Sequence, residues 1–153
     1  MPQLKYFVVC ATSAIDAGSG RLSLIEVLDE LQPQQLPTTL TRASMTAVWY
    51  LADDELGQDH QMSIRVNTPL DKDSREFRLN FRSDSSECRL VQRLAAVPIP
   101  DSGNLRFVLS LNGNQHGEFT VKIREPDPDV YADAGLLVYT DQQLSPTRPT
   151  VIA

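Results

Sequence analysis

Reactive side chains are scarce in this sequence: 153 residues hold two cysteines, two histidines and one tryptophan. Cys10 and Cys88 stand far apart, with no C-x-x-C clip for a metal and too few thiols for a disulfide framework, so both read as reduced core thiols. His60 follows Asp59 at a strand entry and His116 falls at the tip of an expected hairpin; both read as solvated turn residues. No serine sits in a G-x-S-x-G elbow, and neither H-E-x-x-H nor an H-x-E with a later C-x-x-C occurs, so hydrolase and zinc-deaminase chemistry lacks its reactive groups. Gly18-Ser19-Gly20 is too short to cradle a phosphate and has no lysine after it. The expectation is a protein that is not an enzyme, with no catalytic residue, metal or cofactor.

Long apolar runs are absent too. Nothing approaches the roughly 18 residues of a membrane-crossing helix, so no membrane insertion is expected. Tyr6 to Ala11 is too short for the apolar region of an export signal, only one lysine precedes it, and Val9 is bulky where cleavage wants a small residue. A cytoplasmic location is expected by default. Positive charge is in deficit: 14 basic against 20 acidic residues give a net charge of −6, and the arginines are scattered singly. A direct nucleic-acid partner is therefore not expected. The hydrophobic fraction of 41% is that of an ordinary globular chain, and one domain of this length hides about two thirds of its unfolded surface.

What is abundant is alternation. Apolar and charged residues exchange at every step of Glu76-Phe77-Arg78-Leu79-Asn80-Phe81-Arg82, as a half-buried strand requires. The same period runs through Met62, Ile64 and Val66, through Leu105, Phe107, Leu109 and Leu111, and through Phe119, Val121 and Ile123. Asn112 to Gly117 separates the last two sets, and its Asn-Gly pair predicts a hairpin from about Leu105 to Ile123. Lys5 to Ala11, Arg21 to Asp29, Thr41 to Leu51 and Arg89 to Val97 are further strands, the second and third apolar enough to be buried on both faces. Leu24 to Leu31 has the leucine, isoleucine and glutamate to start a helix instead. Turn chemistry fills Asp16 to Gly20, Gln32 to Pro37, Asp53 to Gln58, Pro69 to Asp73, Ser83 to Glu87 and Pro98 to Gly103. About eight strands so separated predict an all-β, antiparallel β-sandwich.

The texture changes at Pro126. Four prolines, four aspartates and one basic residue in the last 28 positions predict an extended C-terminal tail, 126–153, behind a sandwich domain, 1–125. Within the tail, 134–140 is an apolar island that a freely solvated segment has no reason to carry.

Tyr6-Phe7-Val8-Val9-Cys10, the run Gly20 to Asp29 with its proline-led crossover, the strand entry Pro100 to Phe107 and the Asn112-Gly113 hairpin together resemble a bacterial family of small β-sandwich domains of unknown function, over roughly residues 4–125. The resemblance implies the fold and no catalytic residue. Glu26 stands where that family usually has a small residue, often glycine, and the tail has no counterpart in it.

The expected function is a non-enzymatic binding or assembly module that contacts another protein chain or further copies of itself, through Leu136, Leu137, Val138 and Tyr139 of the tail. The alternative is a small-molecule or calcium-binding domain in which Asp53, Asp54, Glu55 and Asp59 converge with Asp71 and Asp73 at one sandwich end. Trp49 reads as core filling before it reads as a sugar platform. Pro146-Thr147-Arg148-Pro149 has P-x-x-P spacing, which short tails also show by chance.

Overall fold

The computed structural model describes residues 1–70 and 74–129, together with the backbone of 71, 136–138 and 151–152. Its strands are β1 (Gln3–Ile15), β2 (Leu22–Val27), β3 (Glu30–Leu31), β4 (Thr38–Leu40), β5 (Ala43–Tyr50), β6 (Asp59–Asn67), β7 (Ser74–Arg82), β8 (Glu87–Leu94), β9 (Val97–Ile99), β10 (Gly103–Leu111), β11 (Asn114–Ile123), β12 (Leu136–Val138) and β13 (Val151–Ile152). One sheet has the order β13-β8-β5-β1-β2, the second β3-β11-β10-β6-β7, and a small third sheet β12-β4-β9. All pairings are antiparallel except β3 on β11. This is the expected all-β architecture.

The two large sheets face each other across the alternating apolar sets. Met45, Ala47, Trp49 and Leu90 from the first meet Met62, Ile64, Phe107, Leu109 and Val121 from the second. Phe7 meets Phe119 edge-on at 6.4 Å, and Trp49 meets the His116 ring at 5.2 Å and 83°. Trp49 is wholly buried, the core filler its sequence position suggests. At the crossing of β1 and β11, Gly117 leaves room for Leu4: a Cβ there would lie 2.8 Å from Leu4 Cδ2, and that side chain would have to turn away.

The hairpin is as predicted but tighter. Asn112 (φ 49°) and Gly113 (φ 85°) alone make the turn, the positive angles that such two-residue connections need, and β11 starts at Asn114. His116 therefore lies within β11 and not at a solvated tip: it is the extra residue where the register shifts between Leu109↔Gly117 and Ser110↔Gln115, and its ring turns inward against Trp49. Other expectations also change. The Arg89 to Val97 strand is two: the chain leaves the first sheet after Leu94, bends at Ala96 (φ 45°) and joins β4 as β9. Pro98 is accommodated because β9 is an edge. No helix forms at Leu24 to Leu31, where β2 pairs with β1 instead. β5 is buried on both faces as expected, whereas β2 is not: Ile25 and Val27 are 47% and 48% exposed, because β2 ends its sheet.

Candidate functional site

Neither histidine is a solvated turn residue. His60 is buried in β6 opposite Phe81, its ring 5.4 Å from the phenyl ring. The Asn112 side-chain amide donates to His60 Nδ1 at 3.2 Å, which leaves Nε2 to donate to the Glu55 carbonyl at a long 3.4 Å. Asn112 Oδ1 also accepts from the Gln61 N–H, and the Asn112 N–H donates to the Gln61 carbonyl. This network locks the β10–β11 turn to β6. His116 is half-buried, and its Nε2 has no hydrogen-bond partner among the described residues.

The acidic loops do not converge. Asp53–Glu55 is a short 3-10 turn that precedes β6, and Pro69–Asp71 is one that follows it. β6 is nine residues long, so the two loops stand at opposite ends of roughly 26 Å of strand, at about 3.3 Å per residue. The shared calcium site is thereby lost, and among the described residues no group of three or more histidine, cysteine, aspartate or glutamate side chains could hold a metal. Glu55 instead anchors the chain's start: its carboxylate takes the Met1 ammonium and the Ala52 N–H, the latter at 2.8 Å. The bond to that ammonium, chiefly, holds the Glu55 carboxyl below the usual range. Asp73 lies outside the described residues.

The thiols are free and buried, as expected. Cys10 is level with Ser44 and Cys88 with Trp49 along β5, on opposite faces and with β5 between them. They are beyond the roughly 7 Å reach of a disulfide. Burial pushes both thiol pKa values up.

Of the tail residues expected to make contact, Leu136, Leu137 and Val138 form β12, whose backbone pairs with Leu40, Thr39 and Thr38 of the same chain. Tyr139 lies outside the described residues, as do 146–149. β13 likewise joins β8.

The surface that sequence reasoning missed is the edge of the first sheet. Among the described residues β2 bonds to β1 alone. The register Cys10↔Val27 and Thr12↔Ile25 sets Ile25 and Val27 on the face that also carries Cys10, Thr46, Val48 and Val91, away from the main core. That face carries Val48 and Val91 beside Ser44, Thr46, Arg89 and Arg93, and is apolar and solvent-exposed at Ile25 and Val27. The other long edge, β7, is lined by Arg75, Glu76, Arg78 and Arg82, charges of the kind that discourage strand addition. β2 has only Glu26, held at φ 56°. A run such as Leu22 to Val27 reads as buried because its place in the sheet order is invisible from the run itself.

No curated protein matches the sequence. A family model described as a family of unknown function, DUF6941, matches residues 5–124. With that match spanning most of the sequence, and both large sheets built mainly within it, the chain belongs to the family of unknown function DUF6941.

Proposed function

We propose that the protein is a non-enzymatic binding module that takes an extended segment of another protein chain along the free edge of β2. The observation that carries this reading is the pair Ile25 and Val27, exposed side by side on a strand whose second edge is unpaired among the described residues. An open edge offers backbone donors and acceptors, and the two apolar side chains offer area to bury; together these are the requirements of strand addition. The backbones of β12 and β13 pair within their own chain, whereas β2 has an open edge among the described residues, which supports β2 over the tail as the contact element.

The test replaces both side chains, Ile25→Asp with Val27→Asp. Because both are about half exposed, the fold should lose no more than about 1 kcal/mol. Purified from cells that make it, the unaltered chain should retain a partner that the double variant loses and that Arg78→Ala on β7 keeps. Equal retention by all three overturns the reading. Sedimentation of the purified chain, alone and as the double variant, distinguishes a second copy from a different protein.

A further inference from the structure

Where β5 begins and β8 ends beside Ala11–Ser13 of β1, the first sheet leaves a hollow of about 420 Å³, within the roughly 300–1,000 Å³ of small-molecule sites. Two guanidinium groups, Arg42 and Arg93, line it, and among the described residues no acidic one does. Arg93 stands in a cross-strand row with Ser44 and Cys10, which share a face. Arg42 is steadied by donating from Nη2 to Thr12 Oγ1 at 3.2 Å, and the Ser13 and Ser44 hydroxyls bond each other at 2.7 Å. Buried Ala11, Ala43 and Leu94 supply an apolar part of the wall.

Elsewhere Arg78, Arg106 and Arg124 each pair with a glutamate, at 2.9, 2.7 and 2.6 Å. Among the described residues neither Arg42 nor Arg93 has a carboxylate partner. Arg21, Arg65, Arg75, Arg82 and Arg89 also lack an ion-pair partner among the described residues, but Arg42 and Arg93 share a hollow that no described acidic residue lines, whereas Arg82 and Arg89 lie beside Asp84 and Glu87. In a chain of net charge −6, two unneutralised guanidiniums beside a concave surface make a local positive potential. Guanidinium forks match the oxygens of a phosphate in pairs, and nearby hydroxyls can each give one more hydrogen bond.

We propose that this hollow binds a phosphate oxyanion, free or carried by a small organic molecule, between Arg42 and Arg93. Isothermal titration at matched ionic strength, with inorganic phosphate in one arm and glycerol 3-phosphate in the other, tests it. Saturable binding near one site per chain is expected, weakened by about tenfold or more in Arg42→Ala and in Arg93→Ala and unchanged in Arg78→Ala. Tighter binding of glycerol 3-phosphate identifies an organic ligand that also uses the apolar wall; equal binding identifies the oxyanion alone as the ligand. Both arginine side chains are exposed, and unchanged Trp49 emission shows that the variants fold. Absence of saturable heat in both arms, or binding that survives the double arginine variant, overturns the proposal.

Discussion

Glu26 and Asn112 both hold positive φ, 56° and 49°, for opposite reasons. Asn112 belongs there: its side chain bonds the Gln61 N–H and His60 while its N–H bonds the Gln61 carbonyl. The side chain of Glu26 is exposed, and among the described residues none holds it. The left-handed region costs a residue with a Cβ about 1–2 kcal/mol, part of which glycine gives back in chain entropy. Glu26→Gly should therefore raise the unfolding free energy by about 0.5–1 kcal/mol, and Asn112→Gly, which loses the side-chain bonds, should lower it by about 1–2 kcal/mol. Urea titration of both variants reads the two signs; the same sign for both contradicts this account. At the thiols, burial and raised pKa values at Cys10 and Cys88 predict that neither reacts with a disulfide reagent at neutral pH until the chain unfolds. One thiol titrating promptly in the folded protein would show that face to be open. The residue scale was the least legible in the sequence: His60 and His116 looked like turn residues, and only strand pairing shows one locked by Asn112 and the other against Trp49.

Elements were read better where alternation was strict. β6, β7, β10 and β11 follow the apolar positions of the sequence because each has one core face and one solvent face. The continuous apolar runs were ambiguous, since a central strand such as β5 and an edge strand such as β2 share the same composition and differ only in neighbours. The short strands β3, β4 and β9 were missed because two or three residues carry no period. The turn before β6 gives a pH-dependent prediction. Glu55 has a depressed carboxyl pKa in the folded state, so its contribution is present above the ordinary range near 4.3 and is lost as pH falls through the lower, folded value. Glu55→Gln should melt at a lower temperature than the unaltered chain at pH 7, and the gap should close on acidification. A gap constant from pH 7 to pH 3 would mean that the ion pair contributes nothing.

For the whole molecule, the fold class was legible and the site was not. Turn residues at regular spacing and two-residue alternation define an all-β sandwich without reference to sheet order. The docking surface proposed here depends on sheet order: β1 lies between β5 and β2, which leaves Ile25 and Val27 exposed at an end of the sheet, and nothing local to Leu22–Val27 encodes that. The acidic loops show the converse, close in sequence but held apart by the length of β6. The most direct test of binding along β2 places a photo-crosslinking residue at Val27 and, as a control, at Arg78 on β7, in cells that make the protein. A discrete adduct to another protein chain is predicted from position 27, absent from position 78 and lost when Ile25→Asp is added. No adduct from position 27, or equal adducts from both edges, would contradict it.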